Sequence, residues 1–276
     1  MITTTCDLAC PGCDRFIDQE HNWTEPYDAV TRNMTEWSKR LTPNNVTLIG
    51  GEPLIHPNIS NIIAHTRKTW PEATIEIMTN GFMFTKREDF LEIMQANTPG
   101  LIGIAIHNRE KTIRNILMNN IDKYIFKKAL WKQIDHNTWE HNRLRVQIYD
   151  MTRTGWYQYR RVVGGVLKPW RDNDPESSYK HCGVATFPII YKNRLYKCPP
   201  ISMLNTHATK YNLLEDEDWK PYLEYQGLDI DCKEDQLNAF VDNITQHHKI
   251  CGMCPANPII QGQEEAVIKN KKYYEV

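Results

Sequence analysis

No apolar run in this 276-residue chain approaches the roughly 20 residues that a membrane-spanning helix needs. Neither charge dominates: 33 basic side chains face 34 acidic ones, for a formal net charge of −1. A nucleic-acid binder is expected to carry a basic excess or stripe. The small clusters Arg160-Arg161 and Lys269, Lys271 and Lys272 read instead as solvated surface charge. There is no internal repeat and no low-complexity tract. The opening string MITTTCDLAC lacks a basic segment followed by an apolar core, so a secretory signal is not expected. These absences argue against membrane and nucleic-acid partners and place the chain in a reducing cytosol. What is present suits a packed core: 41% of residues are hydrophobic and 10% aromatic.

Cytosolic thiols stay reduced, so the eight cysteines need a reason other than disulfides. They are also clustered. Cys6, Cys10 and Cys13 open the chain, Cys251 and Cys254 nearly close it, and Cys182, Cys198 and Cys232 lie between.

The first half alternates short apolar runs with helix-like stretches. Ile2 to Thr5, Val46 to Ile49, Thr74 to Met78, Leu101 to Ile106 and Leu144 to Tyr149 read as strands, with Tyr157 to Val163 as a sixth. Helices are expected over Pro26 to Leu41, with Thr24 as cap, and over Ile59 to Trp70, Lys86 to Gln95 and Arg109 to Lys132. Such alternation predicts a parallel sheet of repeated βα units. The expectation is an α/β fold, a partial (β/α)6 TIM-like barrel over residues 1–169, fewer units than the eight of a closed barrel. A polar stretch, Asp172 to Ser178, reads as a linker. A small C-terminal α+β cysteine-containing extension over 170–276 follows. Within it, Phe187 to Tyr191 and Arg194 to Cys198 suggest a hairpin turning at Lys192-Asn193, because Asn tolerates positive φ.

Cys6, Cys10 and Cys13 are spaced Cys-x3-Cys-x2-Cys. Thiolates ligate iron–sulfur clusters, and three of them leave one iron of a cubane open to a further ligand. Zinc, or three plain thiols, remain alternatives for this triplet. One βα unit later, LIGGEPLIHP sets Gly50, Gly51, Glu52 and Pro53 after a strand, where glycines allow close backbone approach. The string CDLACPGC together with this Gly-Gly-Glu-Pro turn resembles the radical SAM superfamily. The resemblance implies a [4Fe–4S] cluster on Cys6, Cys10 and Cys13, its open iron chelated by S-adenosylmethionine (SAM), with the glycine turn at the SAM amino group. Thr79 and Asn80 stand in a turn similar to the family's Thr-Asn-Gly. After the fourth strand, His107 and Asn108 occupy the place of the family's ribose-binding serine and aspartate. Gly12 stands where many members carry an aromatic residue near the adenine, so that contact must come from elsewhere.

Cys182 and Cys198, fifteen residues apart, flank the expected hairpin, and Cys251 and Cys254 form a Cys-x2-Cys. This resembles the twitch, or shortened SPASM, extension of radical SAM enzymes, although Asn193 replaces that pattern's glycine. The resemblance implies one auxiliary cluster, a second [4Fe–4S], on these four residues. Zinc is the alternative, since four thiolates also suit a tetrahedral site. Cys232, in an acidic stretch, reads as a spare thiol.

The expected activity is therefore reductive cleavage of SAM to a 5′-deoxyadenosyl radical that abstracts hydrogen from a substrate. The cofactor carries that chemistry while the protein binds and orients. An external one-electron donor such as a flavodoxin or ferredoxin is implied. The net reaction would be oxidation or modification of a peptide or protein, or of a small metabolite. His107, Gln147, Tyr149, Tyr157, Tyr159 and Arg160 could line a cavity, with ordinary packing the competing reading. The alternative function is a non-catalytic cluster- or zinc-binding interaction protein on the same fold.

Overall fold

A computed structural model describes residues 1–153, 156–257, 260–261 and 266–268; Lys269, Lys271 and Lys272 lie outside this set. The chain forms two compact units. The first comprises Met1–Cys10, His21–Thr154 and Glu265–Val276, and the second comprises Pro11–Glu20 and Gly155–Glu264. The expected boundary at 169/170 thus falls inside the second unit. Among the described residues, no helix is long and apolar enough to cross a membrane.

The first unit is mixed α/β around a parallel-strand sheet. In chain order it holds β1 (Leu8–Ala9), α1 (Tyr27–Ser38), β2 (Asn45–Leu48), α2 (Ile59–Thr69), β3 (Thr74–Thr79), α3 (Phe90–Ala96), β4 (Gly100–Ile106), α4 (Lys111–Tyr124), β5 (Lys132–Gln133), β6 (Thr138–His141) and β7 (Leu144–Asp150). The sheet order is β2-β3-β4-β7-β6-β5. β2, β3, β4 and β7 run parallel, as the alternation of apolar strands and helices predicts. Ile75, Ile77, Ile102 and Ile104 are fully buried and form its core. Leu8–Ala9 pairs with Val267–Ile268.

Three expectations need correction. The helix from Arg109 stops at Tyr124, where a 3-10 turn (Phe126–Lys128) follows. Lys132–Gln133 then starts a hairpin, so β5 and β6 join the sheet antiparallel. Phe126 packs edge-on against Trp139 and fixes that return. Second, Ile2–Thr5 makes main-chain pairs without forming a regular strand: Ile2 N donates to Ile49 O, and Thr3 bridges Gly50 in parallel. Third, Tyr157 to Val163 is no sixth strand of the sheet and belongs to the second unit. Six βα units are therefore not what surrounds the sheet: four parallel strands, the paired N-terminal segment and an antiparallel hairpin are.

The second unit contains β8 (Trp156–Tyr157), β9 (Arg161–Val163), β10 (Val166–Lys168), α5 (Pro175–Lys180), β11 (Ile189–Tyr191), β12 (Arg194–Tyr196), α6 (Pro199–Lys210), α7 (Lys220–Leu223), β13 (Leu228–Asp229), α8 (Glu234–Asp242) and β14 (Ile260–Gln261). The expected hairpin is present as β11 and β12. Lys192 and Asn193 at its tip take φ of 46° and 61°, both left-handed, as a two-residue type I′ turn requires. The stretch read as a linker instead starts α5: Asp174 caps it by accepting from Ser177 N at 3.0 Å, and Pro175 fits the first turn.

Candidate metal centres and cofactor site

In the first unit, the glycine turn is fastened to the cysteine segment by main-chain bonds. Gly51 N donates to Thr3 O and Glu52 N to Thr5 O, both at 2.9 Å. The glycines make this approach possible. A Cβ on Gly50 would lie 2.3 Å from Thr3 O, and one on Gly51 2.3 Å from Thr5 O and 2.8 Å from Cys6 Cβ. The atoms that demand glycine here belong to the chain's own cysteine segment. The close backbone approach expected of these glycines is thus made to the chain's own main chain.

Glu52, only 1% exposed, sits at the centre of a buried network. Its Oε1 accepts from Leu54 N at 3.0 Å and from Thr79 Oγ1 at 2.8 Å, and its Oε2 from Asn80 N at 2.8 Å. Asn80 Nδ2 donates to Asp7 Oδ1 at 2.6 Å. Thr79 Oγ1 also accepts from Gly81 N. The motif residues Glu52, Thr79 and Asn80 thus bolt the turns after β2 and β3 to the residue following Cys6. Pro53, also buried, opens a 3-10 turn (Pro53–Ile55). Burial, with the Asp7 carboxylate beside it, raises Glu52 to about 8. Burial likewise raises Asp7 and, far above the ordinary thiol range, Cys6, whose charged neighbours Asp7, Glu52 and Cys10 all add negative potential. Asn108 is buried, its Nδ2 donating to Ala266 O at 3.0 Å while its Oδ1 has no partner. Tyr149 OH donates to Gln147 Oε1 at 2.7 Å.

Cys13 belongs to the second unit, where Arg160 holds its end of the loop. Arg160 Nη1 donates to Cys13 O at 2.7 Å, and Nη2 meets both Asp18 oxygens at 2.6 and 2.7 Å. Its guanidinium lies 4.5 Å from the Phe16 ring centroid. Gly12 takes φ of 70°, and a Cβ there would sit 2.6 Å from Tyr157 O. An aromatic side chain at this position is therefore excluded by the main chain of β8. Arg160 was weighed above as a cavity-lining residue; its observed role is to fix the loop.

Cys182, Cys198, Cys251 and Cys254 line one cavity of about 20 Å³. Each arrives by local structure. Cys182 follows α5, its N–H bonded to Tyr179 O. Cys198 is the N-cap of α6, ahead of Pro199 and Pro200. Cys251 and Cys254 flank the end of a 3-10 turn (Lys249–Met253), Cys254 N donating to Cys251 O at 3.0 Å. Ser178 Oγ ties that turn to α5 through Cys254 O at 2.9 Å. Cys232 is not part of the cavity lining. Among the described residues, no three His, Cys, Asp or Glu side chains are grouped to hold a single metal ion. Burial raises all four thiols, and the negative neighbours Cys182, Cys198 and Cys251 push Cys254 further. Two cations oppose this: Arg160 acts on Cys254, and Lys197, which borders the cavity, on Cys182 and Cys251.

The sequence reading left Asp7, Asp18 and Lys197 unassigned. Asp7 stands inside the motif string, so its place was visible there; the partners of Asp18 and Lys197 are distant in sequence and gave no local signal.

Residues 1–131 match the family model described as Radical SAM superfamily. This match supports a radical SAM enzyme in general, with the [4Fe–4S] cluster and SAM that the superfamily uses. None of the curated proteins compared with the chain matches it.

Proposed function

We propose that this chain is a radical SAM enzyme with a second, cysteine-held metal centre, oxidising or modifying a peptide or protein, or a small metabolite. One observation carries the reading: the segment around Cys6 and the Gly-Gly-Glu-Pro turn are joined by main-chain bonds and by the Glu52–Asn80–Asp7 network. The donor set fits the implied group. Cys6, Cys10 and Cys13 are only partly covered, which suits three thiolates offered to one cluster with an open iron. The unpartnered Asp7 Oδ2 and Asn108 Oδ1 are buried acceptors that a ligand with N–H and O–H groups would satisfy. When bound, the cluster would supply the electron that cleaves SAM to methionine and the hydrogen-abstracting 5′-deoxyadenosyl radical. The protein's share is to hold the loop, through Arg160 and Glu52, and to exclude water from the buried network.

For the second centre, four cysteines around one cavity suit a [4Fe–4S] cluster, with a four-thiolate zinc site as the alternative. Such a centre could accept the substrate's electron or ligate the substrate, and the first centre requires a flavodoxin- or ferredoxin-type donor.

The test is anaerobic reconstitution followed by dithionite and SAM. 5′-Deoxyadenosine should appear, and its absence from a protein with an intact cluster would favour a non-catalytic binding role. About eight irons per chain is expected for two [4Fe–4S] clusters, whereas about four irons and one zinc would make the second centre structural.

A further inference from the structure

We infer that Lys210 and Tyr211, at the end of α6, are positioning residues for the Cys13 segment, and that through them metal held at Cys198, at the start of the same helix, steadies the first cluster. The inference rests on the reading above that both cysteine sets hold metal.

Every residue of this link lies in the second unit. The segment after Cys13 is a 3-10 turn (Ile17–Gln19) between Phe16 and Glu20, whose φ values are 57° and 55°. Left-handed backbone is uncommon for residues with side chains, bulky ones above all, and it persists where the surroundings hold it. The holding groups are on both sides of the turn. Phe16 N donates to Cys13 O at 3.1 Å, so the turn is continuous with the cysteine, and Arg160 grips that side. On the far side, Lys210 Nζ donates to Gln19 O at 2.9 Å and to Glu20 O at 2.8 Å, and Tyr211 OH donates to Gln19 O at 2.9 Å. His207, one turn earlier in α6, sets its ring 4.7 Å from that of Phe16.

The opposite end of α6 is Cys198, its N-cap, which lines the cavity shared with Cys182, Cys251 and Cys254. Between the two ends the helix is packed without slack: Ile201, Met203, Leu204 and Ala208 are at most 1% exposed. A metal-bound thiolate at Cys198 would put negative charge at the N-terminus of a 12-residue helix, where the macrodipole favours it. The metal–sulfur bonds would add their free energy to local folding. α6 then opens less often, and with it the clamp on Gln19 and Glu20. The argument holds for iron or zinc at the second centre.

The experiment is a chelator challenge of the anaerobically reconstituted full chain, following iron lost from the reduced cluster whose EPR signal SAM perturbs. In Lys210→Met/Tyr211→Phe that loss should be about fivefold faster than in wild type, the lower end of ordinary coupling between sites. Lys210→Arg alone should stay near the wild-type rate, since a guanidinium can still serve both carbonyls. Joint replacement of Cys182, Cys198, Cys251 and Cys254 by Ala should also speed the loss about fivefold with the clamp intact, but less than about twofold once the clamp is gone. Cys198→Ser repeats the comparison with one ligand lost, so the cycle does not depend on the fourfold variant folding. The same factor in both backgrounds would mean a clamp that holds the turn without answering to the second centre, and would overturn the inference. So would a clamp variant that keeps its iron at the wild-type rate. A wild-type chain that takes up no second metal would refute the two-centre reading itself, a distinct result.

Discussion

Replacing Arg160 by Met should loosen the Cys13 end of the cluster loop, and the structure sets the scale. The Arg160 side chain is 3% exposed and its partner Asp18 is 18% exposed. Removing one member of a buried pair typically costs about 3–5 kcal/mol because the other charge is stranded. Asp18 keeps some access to water, so the lower end, about 3 kcal/mol, is expected. Met retains stem packing against Phe16 but surrenders the contact with the ring face and the bond to Cys13 O. Lysine should recover only part of the loss, since a point charge cannot serve Cys13 O and Asp18 with the same fork. Urea unfolding of the metal-free protein under reductant measures the stability term. The rate at which a chelator strips iron from the reconstituted protein measures the loop, and it should rise several-fold in Arg160→Met. A variant within about 0.5 kcal/mol of wild type, losing iron at the wild-type rate, would refute the claim that Arg160 holds the loop.

Four further outcomes can be checked. Joint replacement of Cys6, Cys10 and Cys13 by Ala should remove one cluster's iron and abolish 5′-deoxyadenosine, while joint replacement of Cys182, Cys198, Cys251 and Cys254 should remove the second centre's metal and leave the first. Gly51→Val should impair cluster loading as well as SAM binding, because the new side chain meets Thr5 O and Cys6 Cβ first; intact loading with weak SAM binding would restore the ligand-approach explanation. In the metal-free protein the raised thiols are neutral when folded and ionise when unfolded, so stability should hold below the unfolded thiol range and fall as pH climbs above about 8.5, by up to roughly 1.4 kcal/mol per pH unit for each thiol. A urea midpoint that does not drop between pH 7.5 and 9.5 would contradict this. Metal binding must then displace protons, so zinc or iron loading at pH 7.5 in weak buffer should acidify the solution, and loading without proton release would show that the thiols were already ionised.

Much of the fold was legible because its signals are local. The buried alternation of Ile75 and Ile77 marks β3, and Lys192-Asn193 between two apolar runs marks a hairpin. The cysteine sets were legible by spacing, and four of them meet at one cavity although 52 residues separate Cys198 from Cys251. What escaped depends on partners that spacing does not reveal. Arg160 bonds Cys13 across 147 positions and Asn80 bonds Asp7 across 73. The Gly-Gly pair was legible as a close approach, but a glycine does not say which atoms approach. Thr3 O and Thr5 O do so here. Lys132, the last residue of the expected helix, opens a short polar strand that nothing local announces; pairing with Glu140, and of Gln133 with Trp139, decides it.

Charges of both signs act on the two cysteine sets, and within the first they are unevenly spread: Arg15 lowers Cys13, while the charges acting on Cys6 are acidic. Cys6 sits among Asp7, Glu52 and Cys10, with Asp7 Oδ2 unpartnered. Burial raises Glu52 to about 8 and raises Cys6 and Asp7 as well, so the metal-free protein favours the protonated forms here. The other four cysteines have cations of their own. Arg160 lowers Cys254, and Lys197, 5% exposed, lowers Cys182 and Cys251 while resting over the Tyr179 ring. No ion pair to a carboxylate is recorded for Lys197 among the described residues; its ammonium caps the carbonyls of Asn243 and Ile244. A centre ligated by four thiolates is anionic, and a buried lysine beside it offsets part of that charge without any ligand. On the reading proposed above, a cationic cosubstrate would offset the acidic groups around Cys6, and Lys197 would offset part of the charge of a metal centre on the other four cysteines.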